Sequence, residues 1–176
     1  SGGVDAIPEF GAPELVSQFA DKPGFDVVIG STGMEVVAGM NNAREPFSDK
    51  RVRQALMMAI DRQAIVEATN SGYGTPIGSH FSPSDAGYED LTGVLPYNPA
   101  KAKALLAEAG YPDGFSFTMK VPNRAYAERA AEIMQAYFTQ IGVTATIESS
   151  EFPATWIKDV FKDTHYDMTI IGHAEP

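Results

Sequence analysis

The order of hydrophobic and polar residues is most regular from residue 98 onward. Helical spacing alternates there with strand-like runs, predicting helices over 99–109, 127–141 and 156–161 and strands over 115–121, 143–147 and 166–171. Asn98 is suited to cap the first of these helices, with Pro99 at its first position and Gly110 after its end. Such alternation predicts an α/β fold, with a mixed, mostly parallel sheet flanked by helices.

The first part of the chain carries a weaker pattern. The apolar, β-branched runs Phe25–Gly30 and Met34–Met40 each predict a buried strand. Ser48 is suited to cap a long helix that runs to about Thr69. Asp49 would place negative charge at the positive end of that helix dipole.

Residues 70–97 keep neither a helical nor a strand period. Gly, Pro, Ser and Tyr dominate this stretch, and a connection of such length inside a compact domain is usually functional or has packed structure of its own. Large side chains that could anchor it are Tyr73, Ile77, Phe81, Tyr88 and Leu91. We therefore expect a long ordered surface loop over 70–97, within a single α/β lobe comprising residues 1–176.

The charge balance is acidic, with 13 Lys and Arg against 23 Asp and Glu and a formal net charge of −10. This argues against a nucleic-acid partner, because phosphate backbones are bound by clustered Lys and Arg. The chain has no Cys, which excludes thiol catalysis, disulfides and cysteine-ligated zinc. No apolar run is long enough to span a bilayer. The N-terminus has neither the charged leader nor the apolar segment of a secretory signal peptide.

No motif predicts catalysis, a cofactor or a bound metal. His80, His165 and His173 are far apart and none lies in a metal-binding helix pattern, so we interpret them as surface or packing residues. The glycine-rich stretch 72–78 has the wrong spacing for a dinucleotide site, and Pro76 would interrupt the helix that such a site needs. Neither a P-loop nor a nucleophile-elbow motif occurs.

One stretch combines the features of a ligand site. Val121–Tyr126 lies between a predicted strand end and a helix start, where open α/β sheets collect ligands and free N–H groups attract anions. Arg124 could hold a carboxylate through paired hydrogen bonds, and Tyr126 could stack or hydrogen-bond. Equally, Arg124 could pair with a local acid and Tyr126 could pack on its own helix. Asn123 completes this candidate set.

A second candidate follows the last predicted strand, at Gly172–Glu175. Glu175 could accept a hydrogen bond from a ligand ammonium, with His173 beside it; the alternative is an exposed acid near the chain end. Natural domains seldom stop directly after a central strand, so we expect this chain to be a piece of a longer protein.

Five blocks of sequence form a recognisable set. The two long ones are Pro46–Asp61, which begins Pro-Phe-Ser-Asp-Lys-Arg-Val-Arg, and Tyr97–Tyr111, which ends Glu-Ala-Gly-Tyr. The short ones are Ser1–Asp5, Gly72–Pro76 and Tyr166–Met168. Together they resemble the peptide and nickel class of extracytoplasmic solute-binding proteins of ABC importers, and the similarity covers essentially the whole chain.

The resemblance implies the second lobe of a two-lobed protein of the type II periplasmic-binding class. Such a protein is not an enzyme. It closes on a peptide or a related small polar solute and delivers it to an ABC permease in the membrane. The implied partners are therefore a ligand, the missing first lobe and the permease. The implied location is periplasmic, with the signal peptide absent from this fragment, and no cofactor is implied.

The resemblance also implies residue roles. Dipeptide-binding relatives carry an Arg-x-Tyr pair after the equivalent strand, with the Arg on the ligand carboxylate, and Arg124 and Tyr126 match that pair. Such relatives also carry Gly-Trp-x-x-Asp after the last strand, where the Asp meets the ligand ammonium. Here His173 replaces the Trp and Glu175 lies in the shifted acid region, so peptides, nickel complexes, opines and sugars all stay open as ligands.

Two other classes of function stay open from the residues alone. A small α/β enzyme such as a hydrolase could use the acid-rich surface, and would lose turnover on a single Asp or Glu change. A stand-alone module that binds extended polypeptide would bind unfolded chains without a second lobe.

Overall fold

The computed structural model describes residues 3–8 and 10–174. Over that range the helices are α1 (Ser17–Ala20), α2 (Lys50–Ala59), α3 (Arg62–Asn70), α4 (Pro99–Glu108), α5 (Ala125–Gln140) and α6 (Ala154–Ile157). The strands are β1 (Met34–Met40), β2 (Ser116–Pro122), β3 (Thr144–Ser150) and β4 (Met168–Ala174). A 3₁₀ turn (Pro13–Leu15) precedes α1, and a π-helical turn (Lys158–Lys162) follows α6. Within these described residues, no helix is both long and apolar enough to cross a membrane.

The four strands form one sheet in the order β1–β4–β2–β3. β2 pairs in parallel with β3 and with β4, whereas β1 runs antiparallel to β4. α5 connects β2 to β3, and α6 lies between β3 and β4 along the chain. The predicted α/β class, with a mixed and mostly parallel sheet flanked by helices, is therefore confirmed.

The caps of α4 form as the sequence predicts. The Asn98 side-chain oxygen accepts a hydrogen bond from the Lys101 N–H at 2.9 Å, and Pro99 occupies the first turn. Gly110 ends the helix with φ +97°, a conformation that a side chain disfavours. The Tyr111 N–H then returns to the Leu106 carbonyl at 2.8 Å.

The long helix predicted from Ser48 to Thr69 is wrong in two respects. Its cap is Asp49, which accepts from the Arg51 N–H at 2.7 Å, while the Ser48 hydroxyl donates to the Glu45 carboxylate. The helix also breaks at Ile60, whose backbone is extended, and α3 starts afresh because the Asp61 side chain accepts from the Ala64 N–H at 3.1 Å. An internal Asp that can cap its own helix competes with continuation.

The strand predicted over Phe25–Gly30 is also wrong. These residues form no strand, and Val28 is 92% exposed. A β-branched run becomes a strand only where a neighbouring strand pairs with it and a packed layer covers its side chains. Among the described residues, neither is provided for this segment.

The core lies between the sheet and the helices α2, α4 and α5. Its centre is a set of edge-on aromatic contacts, in which Phe117 of β2 lies 5.2 Å from Phe47 and 5.7 Å from Phe138 between ring centroids. Phe47 immediately precedes the first turn of α2, so its burial ties that helix to the sheet. The predicted apolar faces of α4 and α5 contribute Ala102, Leu106, Ala127, Ala131 and Met134.

Residues 71–98 contain no helix and no strand, but they contact the rest of the fold at several points. Arg62 of α3 donates to the Leu95 carbonyl at 3.4 Å, and the Asn98 N–H donates to the Met58 carbonyl at 2.8 Å. A side chain at Gly78 would collide with the Leu91 backbone at 2.3 Å, so two distant parts of the segment touch.

Candidate functional site

The carboxyl ends of the parallel strands meet at one edge of the sheet. Pro122 at the end of β2 is paired with Ser150 at the end of β3, and β4 reaches the same edge through Gly172 and His173. The amino end of antiparallel β1 also lies there, because Glu35 is paired with His173. Most of the predicted site residues therefore lie along this edge, which we call the carboxyl edge.

Asn123 joins the loops that follow β2 and β3. Its backbone N–H donates to the Ser150 carbonyl at 2.8 Å, and its side-chain oxygen accepts from the Phe152 N–H at 3.0 Å. The side-chain amide nitrogen has no partner within the part of the chain that the structure describes. Asn123 is exposed, so that nitrogen can still donate to a ligand.

Arg124 occupies the N-cap position of α5 and is exposed. Its guanidinium lies 5.0 Å from the centroid of the Phe152 ring and makes long hydrogen bonds to the carbonyls of Asn123 (3.3 Å) and Phe152 (3.5 Å). No acidic side chain within residues 3–8 and 10–174 forms an ion pair with it. The alternative in which Arg124 pairs with a local acid therefore has no support from the described residues.

The start of α5 adds donors beside Arg124. No side chain caps this helix among the described residues, so N–H groups of its first turn stay open to another acceptor. The positive end of the helix dipole lies at the same point. A guanidinium and an uncapped helix start together favour an anion, and a carboxylate suits both.

The Tyr126 side chain is held within the lobe at both its ring and its hydroxyl. Its ring packs against the core, and its hydroxyl accepts from the Gly172 N–H at 2.9 Å. A Cβ atom at Gly172 would lie 3.5 Å from the Tyr126 Cζ and Oη atoms, which is an ordinary van der Waals contact. The hydroxyl proton is still available for donation to a ligand.

His173 lies on β4 at the carboxyl edge and is exposed. Its ring stacks on that of His80 with 5.3 Å between centroids and an interplanar angle of 16°. His80 belongs to the segment 71–98, so this stack joins the segment to the sheet. Glu175, the remaining predicted site residue, lies outside the described residues.

Glu35 is a feature that sequence reasoning missed. It lies in β1, directly across from His173, and its side chain is only 1% exposed. Neither carboxylate oxygen has a hydrogen-bond partner among the described residues, and His80 Nδ1 lies 3.8 Å from Oε1. The available signal was a single acid in the second position of an otherwise apolar strand.

A separate charged group lies under the same loops. Lys120 of β2 donates to Asp159 at 2.9 Å and also lies 3.5 Å from Glu148 of β3. The hydrogen bond to Asp159 raises the pKa of the Lys120 ammonium above its ordinary value. This pair fixes the turn after α6 to the centre of the sheet.

An apolar cavity of about 650 Å³ opens between β1, α3 and residues 74–80. Its walls include Val36, Ile65, Val66 and Ile77, and Tyr126 and Gly172 lie at its end nearest the carboxyl edge. Within the described residues, no cluster of three or more His, Asp or Glu side chains could hold a metal ion.

The family of the chain is decided by comparison with known proteins. Residues 1–175 match the model of the bacterial extracellular solute-binding proteins, family 5 Middle. The chain belongs to this family.

Two relatives of this family 5 chain are the glutathione-binding protein GsiB of Salmonella typhimurium strain LT2 and that of Escherichia coli strain K12. The first is 38% identical over 139 residues, which are 78% of this chain and 27% of that protein. The second is 37% identical over 119 residues, covering 67% of this chain and 23% of that protein. The family 5 chain thus spans about a quarter of the length of these curated relatives.

Solved structures agree with the fold of the family 5 chain. The dipeptide-binding protein from Pseudoalteromonas sp. SM9913, in complex with Met-Leu, gives a TM-score of 0.80 at 30% identity. That match covers 92% of this chain and 32% of the other. HbpA2 from Haemophilus parasuis gives 0.83 at 29% identity, covering 94% of this chain and 33% of the other. Type II periplasmic-binding architecture, predicted from the sequence, is thereby confirmed.

Proposed function

We propose that residues 1–176 form one lobe of a two-lobed substrate-binding protein of an ABC importer. The protein captures a peptide or a related small polar solute between its lobes. The observation that carries this proposal is Arg124, an exposed guanidinium at the carboxyl edge of a family 5 chain, with no acid partner among the described residues. The glutathione-binding and dipeptide-binding relatives support the class of ligand.

Arg124 is the carboxylate anchor of the site. Arginine carries five N–H donors in a planar fork, and the contacts in this structure use only two of its nitrogens, each at long distance. The Phe152 ring supports one face of the guanidinium and so limits its rotation. A ligand carboxylate can therefore form two parallel hydrogen bonds without breaking a strong existing pair.

The neighbouring residues complete the contact surface. Asn123 offers its side-chain amide N–H groups, and Tyr126 offers its hydroxyl proton while Gly172 holds the oxygen in place. His173 contributes a ring at the β4 end of the same edge. Glu175 is retained as a ligand residue from the sequence.

The rest of the longer protein supplies the second lobe and the opposite wall of the site. Closure of two lobes about a hinge excludes water from the ligand, and the ligand in turn shifts the balance toward the closed form. Within this lobe, residues 70–97 are an ordered surface loop. The protein works outside the cytoplasm, in the periplasm, with a membrane permease as its partner, and it binds its solute without chemical conversion.

Native mass spectrometry of the gently purified full-length protein tests this proposal. The wild type is expected to retain a small solute, whose mass identifies it. Arg124→Ala is expected to lose it, because removal of a charge-assisted hydrogen bond costs about 1.5–3 kcal/mol, or roughly tenfold to a hundredfold in affinity. Arg129→Ala is the matched control, since Arg129 is exposed one turn further along α5.

Three results would count against the proposal. A solute retained equally by Arg124→Ala and wild type would remove Arg124 from the site. Turnover of a substrate by the full-length protein would favour the enzyme alternative. Tight binding of unfolded polypeptide by the isolated chain would favour a stand-alone module, since a single lobe should fold yet bind a small ligand poorly.

A further inference from the structure

Glu35 is the only acidic side chain that is buried among the residues the structure describes. Burial of a carboxylate is unfavourable unless donors or a cation compensate it. Here neither oxygen has a hydrogen-bond partner within residues 3–8 and 10–174. The carboxyl group of Glu35 therefore lacks, among these residues, the hydrogen bonds that its burial calls for.

Among the described residues, the basic group that lies within 4 Å of the Glu35 carboxylate is the His80 imidazole. His80 Nδ1 is 3.8 Å from Oε1, which is beyond hydrogen-bond distance, and the other ring beside it is that of His173. Asp85, of the same segment as His80, lies near Gly33 and is itself an acid. The His80 side chain is 56% exposed, so the ring that lies beside Glu35 is itself in contact with solvent.

The face of the sheet on which Glu35 lies follows from the register. Glu35 and His173 are directly paired, so their side chains share one face. Thr169 lies on the same face, because it precedes His173 by four residues in β4. The Thr169 hydroxyl accepts from Trp156 Nε1 at 3.2 Å, which places the indole on this face.

Arg124 reaches the same face through the aromatic side chains. The Trp156 ring lies 5.7 Å from that of Phe152, and Phe152 carries the Arg124 guanidinium at 5.0 Å. Among the described residues, a guanidinium without an acidic partner and a buried carboxyl group without a hydrogen-bond partner thus lie along one edge and on one face. Only β4 separates β1 from β2, so the two strands are about 10 Å apart.

We propose that Glu35 binds the cationic amino group of a ligand whose carboxylate is held by Arg124. This inference rests on the proposed function of Arg124 and narrows its ligand class. An extended peptide advances about 3.3–3.6 Å per residue, so a zwitterion of two or three residues is as long as the separation of the two strands. His80 moves aside when the amino group enters.

Two pairs of peptides test the role of Glu35 on the full-length protein by titration calorimetry. The probes are Met-Leu and reduced glutathione, each with its N-acetylated form, which keeps the carboxylate and loses the positive charge. Wild type is expected to prefer the free amine by about tenfold to a hundredfold, the usual effect of one charged hydrogen bond. Glu35→Gln is expected to abolish most of this preference and leave binding of the acetylated peptide unchanged.

Glu148→Gln is the matched control, because Glu148 is an exposed acid on β3, and it should keep the full preference. Should Glu35→Gln fail to fold, Glu35→Asp withdraws the carboxylate by one methylene and is expected to lose part of the preference. Equal binding of free and acetylated peptide by wild type would overturn the role of Glu35, as would an unchanged preference in the Glu35 variants. Capture through Arg124 would still stand in either case. No binding of any probe would overturn the peptide zwitterion as ligand and with it the role of Glu35, whereas solute capture through Arg124 is decided by the mass-spectrometry experiment.

Discussion

β2 and the segment Phe25–Gly30 are both rich in apolar and β-branched residues, yet they lie in opposite environments. β2 pairs with β3 on one side and β4 on the other, and it buries Phe117, Met119 and Val121. Among the described residues, the backbone of 26–30 makes no hydrogen bond, and Val28 is almost fully exposed. The comparison indicates that neighbours, more than local pattern, decide whether such a run becomes a strand.

The largest expected effect comes from a matched pair of phenylalanine substitutions. Phe117→Ala should lower the free energy of unfolding by about 3–5 kcal/mol, because it leaves a cavity between Phe47 and Phe138. Phe25→Ala, in the exposed segment, should cost far less. Urea unfolding followed by circular dichroism measures both, and similar losses would contradict the contrast between the two segments.

Buried and exposed threonines of the sheet should differ in the same way as the two phenylalanines. The single Trp, Trp156, donates its indole N–H to the Thr169 hydroxyl, which itself donates to the Lys120 carbonyl at 2.6 Å. Thr169→Val should cost about 1–3 kcal/mol, because it leaves the buried indole N–H without an acceptor. Thr146→Val, at an exposed position of β3, is the matched control.

Trp156 also reports on its own environment. Its fluorescence follows the unfolding of both Thr variants, and its emission should change in the folded state of Thr169→Val alone. A Thr169→Val protein as stable as Thr146→Val would show that the indole finds another partner.

Sequence patterns predicted those elements whose signals are local. The cap of α4 depends on Asn98 and Pro99 alone, and β1 follows an apolar run that ends in the turn before α2. The break between α2 and α3 was missed, because Asp61 lies at a position where helical spacing continues and only its capping hydrogen bond reveals the break. The strand prediction for 25–30 was wrong because the sequence of one segment does not show whether a neighbouring strand will pair with it.

The residues of the candidate site also differ in whether a local sequence signal marks them. Arg124, Tyr126 and Asn123 could be chosen because a strand end and a helix start are both visible in the sequence around them. Glu35 could not, since its burial depends on pairing with β4, more than a hundred residues later, and on His80 from an irregular segment. Long-range contacts of this kind leave no periodic signal.

A smaller effect is expected at high pH, from the Lys120–Asp159 ion pair. The hydrogen bond to Asp159 raises the pKa of Lys120 in the folded state, so the folded chain holds this proton longer than the unfolded chain does. The contribution is complete below the ordinary lysine pKa of about 10.4 and is lost as pH rises through the raised value. It should amount to about 1 kcal/mol or less, since both partners are partly exposed.

Unfolding free energies measured between about pH 9 and pH 12 test this pair. The free energy of unfolding of Lys120→Met should fall less steeply with pH over that range than that of the wild type. Lys101→Met removes an exposed ammonium on α4 and should leave the slope unchanged. Equal slopes in wild type and Lys120→Met would mean that the pair adds nothing to stability.

The smallest effect is expected from a charge placed in the unpaired segment. Val28→Asp would be severe in a buried strand, but here it should change the free energy of unfolding by no more than about 0.5 kcal/mol, because the side chain is already in water. Hydrogen exchange sharpens the same point, since amides of 26–30 should exchange rapidly while those of β2 stay protected. Slow exchange at 26–30, or a loss of several kcal/mol in Val28→Asp, would show that this segment pairs in solution and that the contrast with β2 fails.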